Sequence, residues 1–425
     1  MADEPGEKGE PGEKRVSWVE LYFDLIFVFA VGETTHIMVT DPHWGGFGSA
    51  LRLFILLWWT WVGFVVLYNR NHEDKISQRL FVLAGTLPSA VAAVEVHAAA
   101  DGNEMAFVLA LAGARVVLAL AFAFTSDRAR QVALGYGVST VAFVIAAFLP
   151  SPWRYVLLAF ALIQEAGFLL LRNGERSRER GEERQARPSR TESLRAMLRP
   201  PADPARRVDA AHLAERFGLM MIILLGEVVV SVGGSAVEVT DHDPRYWLGL
   251  LAGLVLAAAL WWIYFTAAAP TSEYVLRASG GNPTLAYGLY AGGHLSPAFA
   301  LLTMAAGMSL ALSGQAPRAA AWFITAGLAV YLTGSRAMAG DGRVRSGPLL
   351  RAAVVVVTAC LAFLWPLISV TGVVLVAAVW AAAIAAYVTW RMPDRLKDIA
   401  ADPLSYFRPP PQSAPPSPSQ SPPPP

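Results

Sequence analysis

Within an otherwise apolar run near the start of the chain, four side chains can hold or pass a proton: Glu20, Asp24, Glu33 and His36. Glu20 and Asp24 are four residues apart, which places them on one helical face. Glu33 lies nine residues beyond Asp24, nearly half a turn round, so this segment needs protein or water on two sides. A second apolar run begins with Glu215 and Arg216 and carries Glu227 deep within it, beside Gly226. Arg115 stands in the middle of a third, among Ala, Gly, Val and Leu. A charge near the centre of a membrane helix costs roughly 2.5–3.5 kcal/mol on insertion scales, so groups at such positions point to ion or proton coupling, or to paired structural charges. Asp24 and Glu227 are the candidate proton-coupling acids. Arg115 is a candidate to tune them or receive an anion, with Asp24, Glu33, Glu95 or Glu227 facing it. Glu20, Asp24, Glu215 and Arg216 also fit a structural ion-pair cluster. Glu95 and His97 fit side chains reaching the outer surface, and His294 fits a hydrogen-bonded packing residue.

Other chemistries are thinly represented. There is no Walker-type loop, Rossmann glycine pattern or nucleophile elbow beside suitable partners. One cysteine and seven scattered histidines supply no zinc ligand set, and His36 three residues after Glu33 is a weak metal or proton pair. No cofactor is expected, and a catalytic role is not favoured. The Arg-rich segment in mid-chain lacks interleaved aromatics and is balanced by Glu, which argues against nucleic acid.

The elements that must position these residues follow from composition. Of 425 residues, 55% are hydrophobic and only 16% charged, with a mean hydropathy of +0.43. A soluble domain is nearer a quarter charged. The lone Cys360 allows no internal disulfide. A membrane helix needs about 20 mostly apolar residues. Twelve stretches qualify: 18–38, 47–68, 79–99, 105–125, 131–149, 153–171, 213–233, 245–266, 284–310, 319–338, 348–369 and 371–390. The predicted fold is therefore an all-α integral membrane protein. With twelve spans, one side gathers 27 of the 34 Lys and Arg and the other holds Arg52, Arg154, Arg245 and Arg318. The bias predicts a multi-pass protein of the inner or plasma membrane with both termini in the cytoplasm. No cleavable signal peptide is visible before the first span. The expected divisions are a disordered N-terminus (1–17), a first six-helix half (18–171), an Arg- and Glu-rich cytoplasmic linker (172–210), a second half (211–391) and a Pro-rich cytoplasmic tail (392–425).

The two halves share features in the same order. Glu20 and Gly32-Glu33 match Glu215 and Gly226-Glu227 at offsets of 195 and 194. Trp58-Trp59-Thr60-Trp61 matches Trp261-Trp262-Ile263-Tyr264, and Pro88 matches Pro297. An even number of spans per half makes the repeats parallel about an axis along the membrane normal, with a site between them near the midplane.

The stretch Arg15-Val16-Ser17-Trp18-Val19-Glu20-Leu21-Tyr22-Phe23-Asp24-Leu25-Ile26-Phe27-Val28-Phe29-Ala30 resembles the opening of the low temperature requirement protein A (LtrA) family. Ala214-Glu215-Arg216-Phe217-Gly218 followed by Leu225-Gly226-Glu227 is similar to that family's second signature. The resemblance covers about residues 15–390. It implies a polytopic bacterial inner-membrane protein with a link to growth in the cold, and supplies no biochemical activity. Its motifs carry over onto Glu20, Asp24, His36, Glu215, Arg216 and Glu227, whereas Glu33 departs from it, an amide being expected there. The leading expectation is a secondary transporter or proton-coupled permease. The alternatives are a membrane enzyme or lipid-binding protein acting on envelope components, and a structural scaffold. The expected partners are the lipid bilayer and a small solute, ion or lipid, and a homo-oligomer is compatible with the sequence.

Overall fold

Apolar surroundings offer the backbone no water, so each N–H and C=O must be satisfied within its own segment. The computed structural model meets that demand with helices alone among the residues it describes, which are 16–69, 76–125, 129–171, 197–201, 207–238, 243–335 and 347–403. In the first part of the chain these are α1 (Trp18–Thr40), α2 (Trp44–Asn69), α3 (Ile76–Val94), the short α4 (Val96–Ala100), α5 (Met105–Thr125), α6 (Arg130–Phe148) and α7 (Trp153–Leu171). After the mid-chain segment come α8 (Ala210–Glu238), α9 (Pro244–Ile263), α10 (Ala269–Ala278), α11 (Pro283–Ala286), α12 (Leu295–Leu312), α13 (Pro317–Gly334), α14 (Gly347–Cys360) and α15 (Trp365–Ala401). Among the described residues, nine helical stretches are long and apolar enough to cross a bilayer. The disordered N-terminus and the Arg- and Glu-rich linker expected from the sequence fall mostly outside the described residues, which take in 16–17, 197–201 and 207–210 of them, and the tail beyond 403 falls outside too.

Helix starts follow local chemistry. Asp243 accepts the Tyr246 N–H at 2.7 Å ahead of Pro244, and Asn282 accepts the Thr284 N–H at 2.9 Å ahead of Pro283. An acceptor at the cap with proline in the first turn suits the unpaired donors there. Two wide π turns interrupt the later helices. Tyr264–Ala268 joins α9 to α10, and Tyr287–Gly292 leads from α11 toward α12. Near the end of the chain, Ser369 has φ 64° and ψ 167°, a non-helical break inside α15. The gap expected between 348–369 and 371–390 falls at this break.

The boundary expected at 391 lies inside α15, which runs on to Ala401. Met392 and Ile399 explain the extension: seven residues apart on one face, both are buried. Pro393 does not end the helix because that apolar face is packed.

α2 and α12 form the centre, buried nearly all round, whereas α6 turns Leu134, Val138, Val141 and Ile145 outward. Such exposed apolar faces suit lipid rather than water. α1 packs on α2 and α3, α3 on α5, α5 on α6 and α6 on α7. In the second part α8 packs on α9 and α12, α12 on α13 and α9 on α15. The two parts meet where α1 and α2 contact α8 and α12.

The α12–α13 seam depends on small residues. A Cβ at Gly307 would lie 2.9 Å from Phe323 Cβ and 3.0 Å from the Ile324 backbone nitrogen. A Cβ at Gly327 would lie 3.1 Å from the Ala300 carbonyl oxygen. Small residues of this kind let membrane helices approach closely. Gly307→Val is therefore expected to cost about 1–3 kcal/mol through overpacking, seen as earlier thermal melting of the detergent-purified protein. An unchanged melting curve would contradict this account of the seam.

Candidate functional site

α1 and α8 run parallel and in register, and their contact line carries most of the charged residues singled out in the sequence. Near the start of both helices, Arg216 grips Asp24 with two parallel hydrogen bonds, Nη1 to Oδ2 at 2.7 Å and Nη2 to Oδ1 at 2.8 Å. The Trp61 indole N–H donates to Asp24 Oδ1 at 2.8 Å. Glu20, one turn earlier, lies 3.4 Å from Arg216 Nε and accepts the Ser17 N–H and hydroxyl at 3.0 Å each. Asp24, Glu20 and Arg216 are each at most 2% exposed. The fork-to-fork geometry is the strong form of a guanidinium–carboxylate pair.

His212, unremarked in the sequence, completes this cluster. Its Nε2 lies 3.2 Å from Glu20 Oε1. The Asn69 amide is oriented by the Asp209 main chain, donating to its carbonyl at 3.0 Å and accepting its N–H at 3.2 Å. The Asn69 NH2 therefore faces His212 Nδ1 at 3.2 Å and makes it an acceptor, which assigns the imidazole proton to Nε2, toward Glu20. Two carboxylates thus face one guanidinium and one imidazole N–H. The Asp209 side chain also caps α8, accepting the N–H groups of Ala211 and His212. Glu215, placed with this cluster by its sequence position, lies outside it: it is exposed, and its carboxylate accepts the Val16 N–H at 3.3 Å. One position before Arg216, it faces away from the α1 contact.

Arg115 sits elsewhere, and its partner is none of the four acids expected. Glu165 on α7 takes it, with Nε to Oε1 at 2.6 Å and Nη2 to Oε2 at 3.4 Å. Nη1 donates to Thr60 on α2 and to the Leu111 carbonyl, and Ser139 on α6 shares the Nε–H with Glu165, each at 3.2 Å. Ser139 also donates to Glu165, and the guanidinium stacks 3.7 Å above the Phe143 ring. This dry cluster ties α2, α5, α6 and α7 together. The acid among the apolar residues of 153–171 was the available signal for it.

Glu227 occupies the far part of the α1–α8 contact. Gly32 lies against it, and a Cβ there would sit at 3.6 Å from Glu227 Oε2, an ordinary packing contact. Ser231 donates to its Oε1 at 3.5 Å, the Thr35 hydroxyl is a second hydrogen-bond partner, and Glu33 is its charged neighbour. No cation among the described residues pairs with Glu227. Glu33 is held by His97 on α4, Nε2 to Oε2 at 2.7 Å, and the His36 ring meets His97 edge-on at 5.2 Å. At the same end, Glu104 accepts from Arg52 at 3.1 Å and from Tyr155 at 2.5 Å, with Arg154 3.3 Å away. No group of three or more His, Cys, Asp or Glu among the described residues has the geometry to hold a metal ion.

Between the two polar ends of the α1–α8 contact lies an aromatic partition. Trp61 packs on Trp58 at 5.2 Å and on Phe217 at 4.9 Å, and Phe217 meets Tyr290 at 5.2 Å and His294 at 5.1 Å. His294 is fixed from both sides, donating from Nδ1 to the Leu289 carbonyl at 3.0 Å and accepting the Tyr264 hydroxyl at 2.9 Å. The Trp58 indole donates to the Ala291 carbonyl at 2.9 Å, so a residue of the first part holds the second π turn. A cleft of about 30 Å³ lies on one side of the partition, against Asn69, Phe217 and Tyr287. A cavity of about 10 Å³ lies on the other, against Phe27, Val31, Trp61 and Met220. That is room for one or two waters at most. Asp24, Arg115 and Glu227 line neither of these two spaces.

Removing one member of a buried pair strands the other charge, at a cost of roughly 3–5 kcal/mol, whereas replacing both by apolar residues is often neutral. Arg115→Leu should therefore lower the melting temperature sharply. The double variant Arg115→Leu with Glu165→Leu should recover most of the loss in the same detergent melt. A double variant as unstable as the single would show that the pair contributes more than mutual neutralisation.

The family model described as bacterial low temperature requirement A protein (LtrA) matches residues 15–388. The chain is also similar to an uncharacterized protein of Rhizobium meliloti (strain 1021), 23% identical over 314 residues, which is 72% of each chain. No solved structure matches it. The matched region contains both clusters on the α1–α8 contact and the Arg115–Glu165 pair. By that match, over most of its length, the chain belongs to the LtrA family of multi-pass membrane proteins.

Proposed function

We propose that this protein is a proton-coupled secondary transporter of twelve spans in two parallel six-helix halves, in the inner membrane with both termini in the cytoplasm. α7 and α13 add two helices of 19 and 18 residues to the nine long apolar stretches. The break at Ser369 divides the 51-residue stretch Arg351–Ala401, which at 1.5 Å per residue is more than twice the roughly 30 Å of a bilayer core. Together these make twelve. The parallel register of α1 and α8 suits parallel halves. So does the repeated packing order, in which α1 meets α2 and α3 as α8 meets α9 and α12.

The observation that carries the reading is the position of Glu227. Every other deep charge on the α1–α8 contact or in the Arg115 cluster is paired and dry, whereas Glu227 has two hydroxyls and a neighbouring acid. A membrane carboxylate without a cation is a group poised to gain and lose a proton. Protonation removes its repulsion from Glu33 and lets α8 repack against α1. The Asp24–Arg216 pair then acts as the cytoplasmic lock, Asp24 serving closure rather than carrying the proton, and the aromatic partition is the barrier a solute must pass. Arg115 holds the first half rigid. Alternating access of this kind needs two packings of the same interface.

The dryness of both guanidinium clusters also favours a second reading, a structural scaffold. One experiment separates the two. Protein is reconstituted into liposomes holding a pH-sensitive dye, a potassium diffusion potential is imposed, and gradients of small organic anions, cations and neutral solutes are applied in turn. The wild type should move protons with at least one solute class, and Glu227→Gln should cut that flux at least tenfold. Equal proton movement in wild type, Glu227→Gln and protein-free vesicles would leave the scaffold reading in place.

A further inference from the structure

We propose a phospholipid site toward the membrane face opposite the Asp24–Arg216 pair, where Arg52 and Arg154 hold the phosphodiester of a lipid with one net negative charge. The site stands apart from the transport reading. Its first ground is a surplus of charge. Arg52 donates from Nη2 to Glu104 Oε1 at 3.1 Å, and Arg154 Nη1 lies 3.3 Å from Glu104 Oε2. Two guanidiniums thus converge on one carboxylate, which leaves the cluster at +1. Among the described residues, neither guanidinium has a second acid within ion-pair distance. Arginine cannot shed its charge, and at a boundary with lipid such a surplus favours a counter-anion.

The second ground is that the two cations are held in place with donors to spare. Glu104 is only 3% exposed and also accepts the Tyr155 hydroxyl at 2.5 Å, while the Arg52 guanidinium stacks 4.6 Å over the Tyr155 ring. Arg154 Nε donates to the Ala146 carbonyl at 3.2 Å, which ties that side chain to the end of α6. Arg52 Nη1 and Arg154 Nη2 then have no acceptor among the described residues, and neither has Arg52 Nε. The two side chains are 30% and 15% exposed, so both can be reached from the surface. Phosphate oxygens suit paired guanidinium donors of this kind.

The surface beside the cluster fits a lipid rather than a free ion. Trp153, next to Arg154 at the start of α7, is exposed, and Val156, Phe160 and Ile163 continue the same face at helical spacing. On α6, packed against α7, Phe148, Ile145 and Val141 are exposed as well. A headgroup on Arg52 and Arg154 would lay its acyl chains along these apolar faces, with Trp153 at headgroup level.

The test is native mass spectrometry of the delipidated, detergent-purified full chain, titrated with dioleoylphosphatidylglycerol or with dioleoylglycerol, which lacks the phosphate. The wild type should bind the phospholipid at least fivefold more tightly. Arg52→Gln and Arg154→Gln should each remove that preference, whereas Arg245→Gln, on α9 and outside the cluster, should keep it. Inorganic phosphate in tenfold excess should not displace the lipid. Equal binding of the two lipids by the wild type would overturn the proposal without recourse to any variant. A preference kept in both cluster variants would overturn this placement, and displacement by inorganic phosphate would overturn the choice of a lipid over the free ion.

Discussion

Much of this molecule depends on how one guanidinium is satisfied in an apolar setting. Arg216 cannot shed its charge, and outside water it needs a carboxylate placed for two parallel hydrogen bonds. Asp24 meets that need, and in doing so fixes the angle, depth and register of α1 against α8. The Trp61 indole and the Asn69 amide draw α2 into the same arrangement. What looks like an expensive pair of charges is thereby the alignment device for the contact between the two parts of the chain.

The polar groups divide by how completely they are satisfied. At Arg115 the donors meet Glu165, Ser139, Thr60 and a backbone carbonyl, with an aromatic ring beneath. Nothing in that cluster has room to change partner. At Glu227 the contacts are hydroxyls, which can turn to donate or accept. The contrast between the sites is one of freedom rather than of burial alone.

Much of this was legible in the sequence. Run length and charge marked the membrane helices, the gap near residue 370 anticipated the break at Ser369, and the family motifs marked Glu20, Asp24, Arg216 and Glu227. The partner of Arg115 was not legible, because periodicity gives the face a residue occupies but not which helix lies opposite. Glu165 was overlooked for that reason. Glu215 was grouped with its neighbour Arg216 although adjacent positions on a helix point about 100° apart, and the structure leaves it at the surface. His212 could not be read as part of the cluster, since its role depends on Asn69 from another helix. The π turns have no sequence signature here beyond a local run of Gly, Tyr and Ala.

The arrangement of Glu20 and Asp24 on successive turns of α1 has a mechanical consequence. Because the two acids repeat at about 6 Å along the helix, α1 presents Arg216 with two carboxylates on one face, one forked to it and one 3.4 Å from its Nε. Sliding α8 along α1 in either direction would draw the guanidinium out of its fork on Asp24, so the pair resists translation of one helix past the other.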